Sequence, residues 1–492
     1  MNRIIRLIRP YWLFLPLCLG VFIAADDQTV IVTILPDVLS DLRVPVSELD
    51  RASWAVTGYL IGYTAAMPFM GRISDRFGFR NTYLAAMLVF ALGSIAVAVS
   101  PELPRWLFGT EPEFSWLVGA RVFQAVGGGA VIPISLAAAG ELVDNRHRAI
   151  AYGLVGASAE AGGVVGPLWG GGITEWLSWE WAFWLNLPLV LLVVVLLLRL
   201  PAGRRNPIKI DMLGVTLFAA FLSVLTVALT RVGDPDLLFI ATVLMSLALG
   251  AALVWRVLFA TSPLFPRSLF KLVSFVTANL AHFLVGSALI IGMVAVPLMA
   301  GTVYGETALE GGLRLLRMTI AVGAGALIGG FFTQRLGPRW PAVGGVVMAT
   351  AGFLLMSRWE LDTGDPTITI HLVFTGLGFG LLVATVAESA LAKVARGSAG
   401  AASALLTVSR MVGMTVGLAA MTSLGTVQFA MLVADIPAFS LDPSVQEEIE
   451  LSTTLAGLEV FRSFFTFAAL SMILGLPFVV VMTSGRHDPL FD

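Results

Sequence analysis

Long apolar stretches, broken by short charged or proline-rich turns, run through the whole 492-residue chain. Within each stretch the apolar residues are continuous rather than alternating, which excludes a β-barrel. A helix needs about 20 residues to cross the hydrocarbon of a bilayer. On that measure the pattern predicts fourteen membrane-spanning helices, at 11–36, 53–71, 81–100, 116–140, 149–173, 181–200, 211–231, 237–258, 273–298, 311–333, 341–357, 368–391, 401–433 and 461–483. The first stretch follows Arg3, Arg6 and Arg9 and superficially resembles a secretory signal. It continues past Asp26 and Asp27 into TVIVTILP without a small-residue cleavage site, so it is read as a retained first helix.

Composition sharpens this. Hydrophobic residues make up 57% of the chain and charged ones 13%, where a soluble domain carries about a quarter charged. A soluble enzyme could not hide so much apolar surface. The 50 glycines suit helices that pack closely in lipid. A net charge of −2 gives no reason to expect nucleic acid. The single cysteine, Cys18, excludes a disulfide framework, and histidines at 147, 282, 371 and 487 have no metal-ligand spacing. With the N-terminus inside and the helices alternating, twenty of the 30 Lys and Arg residues fall in cytoplasmic segments and six outside. The positive-inside rule then places both termini in the cytoplasm. The largest outside segment, 434–460, is acidic. It reads either as a solvated loop or as a helical extension of the neighbouring spans that docks a partner or guides a substrate.

The chain repeats itself. Gly71–Arg80 reads GRISDRFGFR and Gly330–Arg339 reads GFFTQRLGPR, both following G-x-x-x-[D/Q]-R-x-G-x-R. Gly162-x-x-x-Gly166 recurs as Gly413-x-x-x-Gly417, each preceded closely by a charge, Glu160 or Arg410. Two similar six-helix halves are a transporter design. The stretches at 211–231 and 237–258 lack both signatures and read as an inserted pair. The expected organisation is an N-terminal bundle at 1–200, two linker helices within 201–260 and a C-terminal bundle at 261–492.

These motifs resemble the major facilitator superfamily over nearly the whole chain. Gly71–Arg80, with Asp75, Arg76 and Gly78, matches its loop 2–3 signature. Arg121-x-x-Gln124 before Gly127, Gly128 and Gly129 is similar to its span 4 signature, with Ala125 where glycine is common. Gly162-x-x-x-Gly166-Pro167-x-x-Gly170-Gly171 matches the span 5 signature of exporters. Asp27-x-Thr29 through Leu35-Pro36 resembles span 1 of the 14-span drug:proton antiporter branch. Trp179-x-Trp181-x-Phe183 with Asn186-x-Pro188 resembles that branch's span 6 entrance, with Glu180 where arginine is usual. WAVTGYLIGYTAAMPFMGRISDRFG and SRMVGMTVG are similar to an actinobacterial group of triacylglyceride or drug exporters. The resemblance implies an all-α membrane protein of two pseudo-symmetric six-helix bundles plus two linker helices. It further implies a monomer in a bacterial inner membrane, driven by a proton gradient without cofactor or metal, with an extracytoplasmic lipid-carrier protein as a partner.

Candidate residues follow from the cost of charge in lipid, at least about 2.5–3.5 kcal/mol at the centre of a span. Asp26 and Asp27 are adjacent and point about 100° apart on a helix, so only one can fully face a cavity. The signature selects Asp27; Asp26 reads either as a capping or structural pair or as a further proton-coupling group. Glu160 is either a proton carrier or a structural ion pair, with Arg121 and Arg410 as the natural cationic partners. The elbow residues Gly71, Asp75, Arg76, Gly78 and Arg80, echoed by Gln334 and Arg335, are expected to latch the cytoplasmic side. Asp75 there accepts hydrogen bonds from a helix N-terminus and pairs with an arginine. Gly162, Gly166, Pro167, Gly413 and Gly417 read as hinges or as close packing. Together these favour a proton-coupled exporter of a lipophilic or amphipathic substrate by alternating access. An energy-independent scramblase stays open. A proton-pumping respiratory subunit is disfavoured, because the only lysines are Lys209, Lys271 and Lys393, all in loops. No Walker pattern is present.

Overall fold

The computed structural model describes residues 12–42, 54–102, 106, 114–145, 147–232, 236–437, 439 and 442–482. The loop arginines at 3, 6, 9, 43, 51, 105, 146 and 486, which enter the orientation argument, lie outside the described residues. After a 3₁₀ turn at Trp12–Phe14 come α1 (Leu15–Asp41), α2 (Trp54–Phe77), α3 (Phe79–Ala98), α4 (Phe114–Leu142) and α5 (Arg148–Trp176). Then follow α6 (Trp181–Trp184), α7 (Asn186–Leu197), α8 (Met212–Thr230), α9 (Leu237–Phe259) and α10 (Arg267–Phe270). The remainder forms α11 (Val273–Thr302), α12 (Ala308–Leu336), α13 (Arg339–Met356), α14 (Asp365–Leu391), α15 (Ala399–Val433) and α16 (Pro443–Val480).

Among the described residues, twelve helices are long and apolar enough to cross a membrane. The chain is therefore an all-helical, multi-pass membrane protein. Two of the fourteen expected spans fall short of that measure. In α2, glycine, threonine and tyrosine dilute the apolar run. The stretch expected at 181–200 is divided between the single turn of α6 and the short α7. Part of the segment at 434–460, expected either as a solvated loop or as a helical extension, is helical. It becomes helix at Pro443, because Asp442 caps α16 by accepting from Ser444 N at 3.0 Å and proline suits the first helical turn. Bonds from the Ser444 hydroxyl, then from its main-chain nitrogen, hold the Asp442 carboxyl below the usual carboxylate range.

The chain divides into two compact units. The first comprises Met1–Val224, Met245–Val276 and Ala387–Val408, the second Leu225–Leu244, Thr277–Val386 and Ser409–Asp492. In the first, α1 packs along α5, and α4 packs against α2 and α3. Lipid tails are as apolar as leucine, so burial alone cannot position these helices; close approach and polar bonds must. Glycine supplies the approach. A Cβ on Gly162 would collide with Phe22 O, and one on Gly166 with Thr29 Oγ1, both on α1. In the second unit α15 meets α11 in the same way, Gly413 against Phe283 O and Gly417 against Ser287 O. The echo in sequence is thus an echo in packing, helix five against helix one of each half. The elbows repeat too: Gly78 has φ 86° and Gly337 φ 76°, a left-handed backbone that only glycine adopts without strain.

The two helices expected as an inserted pair, α8 and α9, are built differently. Only 6% of the apolar stretch of α9 is buried, against 72% for α4. Asp211 caps α8 through Gly214 N at 3.0 Å and binds Arg256 of α9 at 2.9 Å, fastening the two helices at one end.

Candidate functional site

The first unit encloses a polar cluster around Asp27. Asp27 Oδ2 receives Arg121 Nη1 at 2.7 Å, and Arg121 Nη2 also donates to Asp27 O at 3.2 Å. Asp27 Oδ1 accepts from Gln124 Nε2 and from Asn186 Nδ2, both at 2.8 Å. Gln124 Nε2 also donates to Ser94 Oγ at 2.8 Å. Arg121 lies over the Tyr59 ring, 4.1 Å from its centroid, with Phe183 at 5.6 Å. Asp27, Arg121, Gln124 and Ser94 are all 0% exposed. One carboxylate therefore ties α1 to α4 and to the start of α7, and through Gln124 to α3. Gly93 makes this possible: a Cβ there would collide with the backbone of Gln124. A buried ion pair contributes little net stability when intact, yet removing one partner strands the other's charge. The cluster is thus poised to respond to the charge state of Asp27.

Asp26 is also buried, at 7% exposed, but its Oδ1 has no hydrogen-bond partner. Its main chain backs onto Gly166 of α5. Glu160 is buried on α5 at 7% exposed, two residues before the seam glycine Gly162. Arg410 belongs to the second unit, where it is half-buried on α15 and Gly286 of α11 packs against its carbonyl. Arg314 pairs with Glu306, and Arg317 donates to Asp365 at 2.6 Å.

The elbow forms a second cluster in the first unit. Asp75 Oδ1 accepts from Gly400 N at 2.8 Å and Oδ2 from Ala401 N at 3.1 Å. These are free amides in the first turn of α15, where the helix dipole favours an anion. Arg72 Nη1 lies 3.8 Å from Asp75 Oδ2. Gly71 and Gly400 abut so closely that a Cβ on either would collide with the other's carbonyl. Arg80 Nη1 donates to Leu200 O at 2.8 Å, while Arg76 covers the neighbouring Phe77 ring. In the second elbow Arg335 is exposed and lies over Phe331, 4.2 Å from its centroid; Gln334 is half-buried.

Of the cluster's other members, Asn186 carries a signal in the Asn186-x-Pro188 motif, without a role attached to it; Ser94 and Tyr59 carry none.

A family model described as Major Facilitator Superfamily matches residues 17–418. The chain belongs to the major facilitator superfamily. It is a membrane transporter of that superfamily and not an enzyme. A triacylglyceride transporter of Mycolicibacterium smegmatis is 31% identical over 499 residues, covering 96% of this chain and 87% of the relative. One from Mycobacterium tuberculosis is 34% identical over 445 residues, covering 85% and 83%. Among solved structures, a proton:xylose symporter aligns with TM-score 0.64 at 15% identity, covering 98% of this chain and 99% of that one. A human organic anion transporter aligns with TM-score 0.62 at 15% identity, covering 96% and 99%. Those two likenesses concern the fold.

Proposed function

We propose that this protein exports a lipophilic lipid of the triacylglyceride class across a bacterial cytoplasmic membrane, driven by proton entry through alternating access. The observation that carries the substrate class is end-to-end similarity, above 30% identity, to triacylglyceride transporters. Coupling is assigned to Asp27, with Arg121 as its counter-ion. Protonating Asp27 would remove the charge that holds Arg121, Gln124 and Asn186 together, and so loosen α1 from α4 and α7. Asp26, Glu160 and Arg410 are further coupling candidates, being ionisable groups in spans where charge is expensive. Asp75 and the elbow residues latch the cytoplasmic side. Gly162, Gly166, Pro167, Gly413 and Gly417 serve as hinge seams; proline interrupts the backbone bonding of α5 at that point. Both termini face the cytoplasm, the transporter acts as a monomer of bundles 1–200 and 261–492 with a linker pair between, and an extracytoplasmic lipid carrier takes the product.

The test is purified protein in proteoliposomes with an imposed pH gradient, offered a labelled triacylglyceride and a panel of amphipathic drugs. Uphill triacylglyceride movement that collapses with a protonophore supports the reading. Movement independent of the gradient replaces it with a scramblase, and drug movement alone replaces the substrate.

A further inference from the structure

The segment that joins α7 to the linker pair lies across the walls of the elbow cluster. Leu200 O accepts from Arg80. Gly78 faces the next turn so closely that a Cβ there would sit 2.5 Å from Ala202 O. Gly203, at φ 78°, turns beneath the Phe79 ring. Arg204 N donates to Glu141 Oε2 at 2.9 Å, at the end of α4. Asn206 Nδ2 donates to the main-chain oxygen of Asp75 itself at 3.0 Å. The same amide packs beside Gly397, where a Cβ would lie 3.3 Å from Asn206 Nδ2, in the turn that leads into α15. At the far end, Asp211 fastens α8 to α9 and lies within electrostatic reach of Arg72, the partner of Asp75.

We propose that Asn206 is a positioning residue of the cytoplasmic latch, through which the linker helices set how readily Asp75 releases the start of α15. Asn206 lies between the two sides of the joint that must part, bonded to the Asp75 carbonyl on the elbow and next to Gly397 on the approach to α15. Holding the Asp75 main chain fixes where its carboxylate points. The linker pair, which carries neither half-signature, thereby acquires a task in the transport cycle. This proposal rests on the latch reading of Asp75.

The experiment measures alkylation by a maleimide of the full-length protein in lipid nanodiscs. The background is Cys18→Ser, with Ala401→Cys as the reporter, since Ala401 is 0% exposed beside Asp75. Ala349→Cys, equally buried in α13, reports general loosening. Asn206→Ala should speed labelling at 401 about fivefold, the factor one neutral hydrogen bond is worth, and leave labelling at 349 unchanged. Asn206→Gln, which keeps the donor, should recover part of the protection. Asp75→Asn should speed labelling at least as much, and adding Asn206→Ala to it should change nothing further. If Asp75→Asn accelerates labelling but Asn206→Ala does not, or the two effects multiply, the positioning role is wrong and the latch stands. If Asp75→Asn leaves position 401 protected, both fall. Faster labelling at 349 in Asn206→Ala would also overturn the proposal.

Discussion

Asp75 Oδ1 lies 2.8 Å from the main-chain nitrogen of Gly400, 325 positions further along the chain. The bond joins an elbow that the sequence displays openly to a helix start that it does not. Asp75→Asn keeps the shape and one acceptor but removes the charge that faces the α15 dipole. Such a charge is worth about 0.3–2 kcal/mol, enough to shift a conformational balance and too little to unfold the protein. We expect slower turnover with a melting temperature within a few degrees of the parent and unaltered substrate binding. Wild-type turnover would show that the bond plays no part in the cycle.

The close contact of Gly71 with Gly400 gives a harsher test of the same joint. Gly71→Ala would force two backbones apart, and over-packing of this kind costs about 1–3 kcal/mol. Transport should fall further than in Asp75→Asn, and the melting temperature should fall with it.

Within α5, neighbouring glycines separate packing from composition. A methyl on Gly166 would strike Thr29 Oγ1 and crowd Asp26 O, whereas one on Gly163 meets nothing within 4 Å. Gly166→Ala should therefore destabilise by about 1–3 kcal/mol, while Gly163→Ala should be neutral or slightly stabilising, as alanine is the better helix former. The second half repeats the design, so Gly417→Ala, whose methyl would strike Ser287 O, should behave like Gly166→Ala. Thermal unfolding of the three variants in one detergent decides it; equal effects at 163 and 166 would mean that the α1–α5 seam is not closely packed.

What could be read in advance follows from these cases. Asp27 and Arg121 stood out because a charge inside an apolar run is expensive. Gln124, Ser94 and Asn186 complete their bonding; Gln124 and Asn186 sit in recognisable motifs, but their partners lie on other helices, and Ser94, a lone hydroxyl in a span, carries no signal. The elbows were legible because their glycines are conformationally required, at Gly78 and at Gly337. Which helix Asp75 would meet, and the loop carrying Asn206 against it, were not, since no local pattern marks a contact across such a separation. Of the fourteen expected spans, those at 53–71 and 181–200 are helical but are less apolar or shorter than the other twelve.

Asp27→Asn keeps the size of the side chain and its capacity to accept from Gln124 and Asn186, yet leaves Arg121 buried at 0% exposure without its counter-charge. Breaking a buried pair this way costs about 3–5 kcal/mol, so the single variant should melt well below the parent. Arg121→Gln in the same chain removes the stranded charge and should restore much of that stability. Stability and coupling then come apart: the double variant folds but has no titratable group at position 27. In proteoliposomes under an imposed pH gradient it should equilibrate labelled triacylglyceride without accumulating it. Glu160→Gln, made alone, should also abolish accumulation if both carboxylates carry protons. Uphill accumulation at the parent rate in a folded Asp27→Asn, Arg121→Gln protein would remove Asp27 from the proton path and leave its ion pair as scaffolding for the first bundle.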